Sequence, residues 1–234
     1  MARVTKRQKK INELGIDRDN LYAISDALGV LSKYADTAKA KFDETVELAV
    51  ILGVDPRHSD QMVRGAVVLP NGTGKIVKVA VFTSPGKLKD AEAAGADVFG
   101  ADDLIAKVQA GKIDFDKCIC TPDFMPSLAK IGKELGPKGL MPNPKLGTVT
   151  DDIKGAVERV KKGQVEFRVE KGAIVHAKVG LLSFNAKSLE DNIKVLINAV
   201  MDAKPSGAKG EYLRGIYLST TQGPAIPLDK KTLI

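Results

Sequence analysis

Cysteine is scarce in this 234-residue chain: only Cys118 and Cys120 occur, with a single residue between them in an apolar run. They are too close for an ordinary disulfide and too few for a zinc site, so both are expected to be reduced and buried. Histidine is equally sparse; His58 and His176 lie far apart, and no His or Cys pair has metal-ligand spacing. Long apolar runs are missing too. Nothing approaches the roughly 18 uninterrupted apolar residues of a membrane helix, and the basic first ten residues lack the apolar core of a secretory signal. A cytoplasmic protein without a membrane partner is expected. Phosphate loops are also absent, because Gly74-Lys75, Gly86-Lys87, Gly111-Lys112 and Gly132-Lys133 are never followed by Ser or Thr. A dinucleotide fingerprint fails as well: Gly72-Thr73-Gly74 precedes its strand and lacks the third glycine. No acidic pair stands out from solvated surface, so catalysis has no evident seat and no cofactor is expected.

What is present is an ordinary globular composition, 44% hydrophobic and 28% charged, long enough for two modest domains. The net charge is +7 and unevenly spread. Residues 1–10 hold five cations and no acid, residues 11–72 six against ten, residues 73–162 fifteen against twelve, and residues 163–234 ten against seven. Such an excess suits a polyanionic partner, and it also suits many enzymes.

Arg3, Lys6, Arg7, Lys9 and Lys10 read as a solvated basic arm. A helix is expected over Leu21 to Lys39. Phe42, Val46, Leu48, Val50 and Leu52 then share one parity with Asp43, Thr45 and Glu47 between them, the period of a half-buried strand. That parity makes Phe42 a core or strand-end residue. A short strand over Ala66 to Leu69 stops at the turn formers Pro70 to Gly74.

The middle of the chain differs. Strands at Ile76 to Phe82, Asp97 to Phe99 and Lys117 to Cys120 alternate with helices ending at Ala94 and Gln109, the order of a parallel sheet with crossover helices. A helix from Asp151 to Lys162 has acids first and bases last, and Gly163 is placed to stop it. Strands then return around Val165 to Val169, Ile174 to Val179 and Tyr212 to Ser219. Between them Leu189, Ile193, Leu196, Ile197 and Val200 form a helical stripe that Ser188 can cap and Pro205 ends. The two chain ends resemble each other. The predicted fold is therefore α/β with two domains: a split α+β domain from residues 1–72 and 163–234, and an inserted Rossmann-like parallel α/β domain from 73–162. Gly72, Gly74 and Gly163 are the candidate hinge.

Two segments stand out. Gly136 to Gly147 packs three Gly, three Pro and two Lys into twelve positions and reads as a rigid loop without helix or strand. Ser219-Thr220-Thr221-Gln222-Gly223-Pro224 follows a strand directly and serves equally as a turn or as a set of small donors for a sugar or phosphate.

With Lys41-Phe42-Asp43-Glu44-Thr45-Val46-Glu47, Arg64-Gly65, the Gly136 to Pro144 loop and Thr220-Thr221 before Gly223-Pro224, the chain resembles the large-subunit ribosomal protein L-one family in its bacterial form. The resemblance runs over essentially the whole chain. It implies a split domain with a Rossmann-like insert, and a non-enzymatic protein that binds 23S rRNA at the mobile stalk. It further implies assistance to deacylated tRNA leaving the exit site, repression of translation through its own mRNA, and a monomer when free. By motif match the RNA contacts fall at Lys41, Phe42, Thr45, His176, Thr221 and Gly223. Lys41 would neutralise phosphate, Phe42 stack on ribose or base, Thr45 and Thr221 bond 2'-hydroxyls or phosphates, and Gly223 allow close backbone approach. Three positions depart from the family: Gln222 stands where methionine is frequent, Gly215 where serine is expected, and Leu181 where lysine often follows the glycine matching Gly180. Lys178 is the nearby cation available to replace that lysine. The competing reading is an enzyme using the Rossmann-like domain for a nucleotide, for which Thr83-Ser84-Pro85-Gly86-Lys87 supplies one glycine and one lysine.

Overall fold

A computed structural model describes residues 4–17 and 19–232. In chain order the elements are helix α1 (Lys6–Glu13), α2 (Ile24–Thr37), strands β1 (Thr45–Leu52) and β2 (Arg64–Val68), then β3 (Val79–Phe82), α3 (Leu88–Ala93), β4 (Val98–Gly100), α4 (Asp102–Gln109) and β5 (Lys117–Cys120). Short helices α5 (Met125–Ala129) and α6 (Gly132–Leu135) follow, then α7 (Ile153–Lys161), β6 (Gln164–Arg168), β7 (Ile174–Leu181), α8 (Ala186–Asp202), β8 (Leu213–Thr220) and β9 (Ile226–Leu228). Contacts divide the chain after Gly74 and after Gln164 into one unit made of both ends and one made of the middle.

In the unit made of both ends, an antiparallel sheet runs in the order β7-β1-β8-β9, and β2 pairs with β6 separately. Alternation along β1 sends Val46, Leu48, Val50 and Leu52 inward, all at most 1% exposed. They meet Leu28 and Leu31 of α2 and the stripe Leu189, Ile193, Leu196, Ile197 and Val200 of α8. Each such aliphatic side chain contributes about 1.5–3 kcal/mol by leaving water. The opposite face of the sheet keeps Thr45, Glu47, Ala49, His176, Lys178, Tyr217 and Ser219 at least partly exposed. The helical stripe expected here is α8, but the helix begins three residues earlier than a Ser188 cap requires. Asn185 holds the cap position in extended backbone, and Ser188 lies in the first turn.

In the middle unit, β3 is flanked by β4 and β5, both parallel to it. Its four residues are all buried because each face is covered. Ala80 and Phe82 pack with Leu104, Ile105 and Val108 of α4, Leu128 of α5 and Leu135 of α6, while Val79 and Val81 pack with Ala91 of α3 and Ile153, Val157 and Val160 of α7. Asp152 caps α7 by accepting from Gly155 N at 3.0 Å. Cys118 and Cys120 are buried and unbridged, and burial pushes both thiols up, Cys120 to about 12. The Gly136 to Gly147 segment is not free of helix, as the turn Pro144–Leu146 is 3-10 and Asn143 caps it by accepting from Lys145 N. Leu140 and Met141 pack on the core and Leu146 is buried, which anchors the loop.

Candidate nucleic-acid interface

β1 leaves the sheet at Thr45, and the chain before it turns outward. Phe42 is 50% exposed, so the core parity expected of it is overturned. Glu44 takes the inward position instead, at 0% exposure. The alternation continues through Glu44 and stops there, because residues 41 and 42 form a bend and not a strand. Lys41 and Phe42 therefore project from a loop, whose base is held on both sides. Asp43 accepts from Ser183 Oγ at 2.6 Å and from Ser183 N at 3.2 Å, and Glu44 O accepts from Leu182 N at 2.8 Å.

Glu44 gathers donors from four places. Its Oε1 accepts from Ala40 N at 2.7 Å, Tyr34 OH at 2.8 Å and Arg7 Nη2 at 3.3 Å; its Oε2 accepts from Thr220 Oγ1 at 2.8 Å and Gln222 N at 3.0 Å. Burial pushes this carboxyl up, yet the bonds from Ala40 N, Thr220, Gln222 N and Tyr34 outweigh it and hold the group below the usual carboxylate range. Arg7 is thus no part of a solvated arm. Besides Glu44 it donates to Ala38 O at 2.8 Å, to Gln222 O at 3.1 Å, to Gln222 Oε1 and to Tyr34 OH. Lys10 of the same helix donates to Thr37 O at 3.0 Å, whereas Lys6 and Lys9 are exposed as expected. Arg3 lies outside the described residues.

Antiparallel pairing brings the remaining predicted residues to the outward face. Lys178, Glu47 and Ser219 lie in one row across β7, β1 and β8, and His176, Ala49 and Tyr217 lie in the next. His176 Nε2 stands 3.5 Å from Glu170 Oε1. Thr221 continues from β8 beside Thr45; its N–H donates to Thr45 O at 3.0 Å, and its hydroxyl accepts from Thr45 N at 3.0 Å. Part of that hydroxyl's capacity is consequently spent inside the protein. Gly223 has an internal reason to be glycine, since a Cβ there would fall 2.2 Å from Thr220 Oγ1 and 3.2 Å from the Tyr34 ring.

Lys41, Phe42, Thr45, Lys178, Thr221 and Gly223 thus converge at the end of the sheet where β1 begins and β8 ends, with His176 one row further along. Gly72 and Gly74 lie instead in the turn after β2 with φ of 66° and 75°, and Gly163 after α7 with φ of 99°. Gly72 O accepts from Asn192 Nδ2 at 3.0 Å, and a Cβ at Gly74 would fall 2.7 Å from Leu181 Cδ1. Leu181 therefore has a packing role where the family often carries lysine. At Gly215 a Cβ would meet Tyr217 Cε2 at 3.2 Å, so the ring two residues on leans over the missing side chain.

The residues that sequence reasoning missed are Glu44, Arg7, Tyr34 and Thr220, which touch one another, and Tyr217 and Ser219 on the outward face. Glu44 lies on the core parity of β1, a signal that its charge obscured. In the middle unit, Lys87 is held by Asp151 at 2.7 Å, which occupies the one cation the Thr83 to Lys87 turn offers a phosphate.

A firm sheet presenting hydroxyls, two cations, an imidazole and one protruding aromatic ring is suited to gripping folded RNA by backbone, sugar and base contacts. Over residues 31–224 the sequence matches the model of the Ribosomal protein L1p/L10e family. The match covers most of the chain, which belongs to this family. It is a structural, non-enzymatic ribosomal protein of the large subunit that binds ribosomal RNA. Among the described residues no helix is long and apolar enough to cross a membrane.

Proposed function

We propose that the protein holds the mobile stalk region of 23S rRNA through Lys41, Phe42, Thr45, His176, Lys178, Thr221 and Gly223, and that the inserted unit moves with the stalk to help deacylated tRNA leave the exit site. The single observation that carries this reading is the convergence of six residues from three separate stretches of the sequence at one end of one sheet. Phe42 stacks on a base or ribose, Lys41 and Lys178 neutralise phosphates, and Thr45 with Thr221 offers hydroxyl and backbone contacts to sugars. Tyr217 and Ser219, in the same rows, extend the contact. Movement pivots at the connections marked by Gly72, Gly74 and Gly163, whose positive φ angles other residues rarely adopt. The same surface binds a similar fold in the protein's own mRNA and represses its translation.

A filter-binding titration against the isolated stalk fragment tests the reading. Affinity should fall steeply with salt and exceed that for unrelated duplex RNA, because contacts to phosphates release counterions while the loop and turn select a shape. Indifference to salt, or equal binding of any duplex, overturns it. Footprinting on 23S rRNA and on the protein's own transcript tests the two partners together.

A further inference from the structure

Lys41 and Phe42 lie on one loop and Thr221 and Gly223 on one turn, with most of the chain between them. We propose that Glu44 is the positioning residue of the RNA-binding surface: without touching RNA, its carboxylate sets the loop and the turn in the relative arrangement that binds. The inference rests on the RNA-binding reading above.

Each carboxylate oxygen serves a different side of the surface. Oε1 accepts from Ala40 N at the base of the Lys41–Phe42 loop, and Oε2 accepts from Gln222 N within the turn. Thr220 Oγ1 strengthens the second side and Tyr34 OH the first. Two of these donors are hydroxyls that can rotate, but Ala40 and Gln222 donate through backbone N–H groups, which cannot become acceptors. An amide in place of the carboxylate would aim its NH2 at one of those two N–H groups whichever way it flipped. Only a group that accepts at both ends satisfies the site.

A fully buried carboxylate is an expensive means of stabilising a fold. Apolar replacements of buried ion pairs are often neutral or better, so its use here is better explained by the geometry it imposes. Arg7 Nη2, 3.3 Å from Oε1, partly balances the charge and reaches Gln222 O of the turn as well. The Thr45–Thr221 pair fixes where β1 and β8 run side by side, whereas Glu44 fixes the loop beyond the strand, where pairing has ended.

The test is the full-length protein carrying Glu44→Gln, with folding checked by circular dichroism and stalk-fragment affinity by filter binding. Affinity is expected to fall at least tenfold in a folded protein. Adding Phe42→Ala to that variant should cost much less than the same change costs in the parent, since a misplaced loop no longer presents the ring. A folded Glu44→Gln protein with parental affinity, or losses that simply add, overturns the proposal, because a merely stabilising carboxylate would leave the two effects independent. If Glu44→Gln does not fold, Tyr34→Phe and Thr220→Val each remove one hydroxyl donor from a different oxygen while leaving the charge. Each is then expected to weaken binding about threefold or more, and unchanged affinity in both overturns the assignment. Should Phe42→Ala alone bind like the parent, the reading of the surface fails and this proposal fails with it. Should Phe42→Ala weaken binding while Glu44→Gln does not, only the positioning role is lost.

Discussion

Thr221 is bonded to Thr45 twice, backbone N–H to carbonyl and hydroxyl to backbone N–H, both at 3.0 Å, although 176 residues separate them. The hydroxyl therefore ties the end of β8 to the start of β1 before any RNA is present. Thr221→Ala should lower the stability of the free protein by about 1 kcal/mol, the worth of one ordinary hydrogen bond, measured by urea unfolding. It should also weaken RNA binding by about 1–3 kcal/mol, so the two effects can be separated by titrating at a denaturant concentration of zero.

Phe42 behaves oppositely. Half exposed and outside the core, it should contribute within about 0.5 kcal/mol to stability, and Phe42→Ala should leave the unfolding midpoint where it was. RNA affinity should nevertheless fall by about 1–3 kcal/mol, the range for one lost stacking contact. A large loss of stability would show that the ring packs inward.

Gly223→Ala should destabilise the protein even without RNA. The added methyl collides with Thr220 Oγ1 and crowds the Tyr34 ring, both joined to Glu44, and overpacking of this kind costs about 1–3 kcal/mol. Thermal unfolding of the free protein checks it, and an unchanged midpoint would mean that the turn yields.

The salt dependence of RNA binding should reveal the cations. If Lys41 and Lys178 each neutralise one phosphate, replacing either with alanine should reduce the slope of log affinity against log salt by about 0.7–0.9. The same substitution at Lys161, held by Asp97 at 3.3 Å in the middle unit, should leave the slope unchanged.

Acid should unfold the protein partly through Glu44. Its folded-state affinity for protons is depressed: burial raises it, but the bonds from Ala40 N, Thr220, Gln222 N and Tyr34 prevail. Asp97 and Asp116 are depressed as well, led by bonds from Val79 N and Lys78 N respectively. A carboxyl that binds protons less readily when folded stabilises the fold above its unfolded pKa of about 4, and that contribution disappears as pH falls through the lower folded value. Stability measured by denaturant should thus be flat near neutrality and decline below about pH 4. The decline should be shallower in Glu44→Gln.

Much of the architecture was legible because it is local. The stripe of α8 and the alternation of β1 repeat with the period of their element, and burial follows that period, while Lys117 to Cys120 shows as a short apolar run buried on both faces. The start of α8 was not, since Asn185 takes the cap position without a side-chain bond that would mark it. Arg7 looked like one more exposed cation in a basic run, because nothing nearby in sequence shows that Tyr34, Glu44 and Gln222 are its partners.

By itself the sequence determined which side of each element is apolar, the switch from alternating strands to crossover units, and the motifs that identify the family. Only the tertiary structure decided that Phe42 faces water while Glu44 is buried, and that Gly223 is required by Tyr34 and Thr220. The reason is physical: hydrophobic periodicity is a property of neighbouring residues, whereas a buried carboxylate is tolerable only where donors from distant segments arrive together, and their arrival depends on how the whole sheet is assembled.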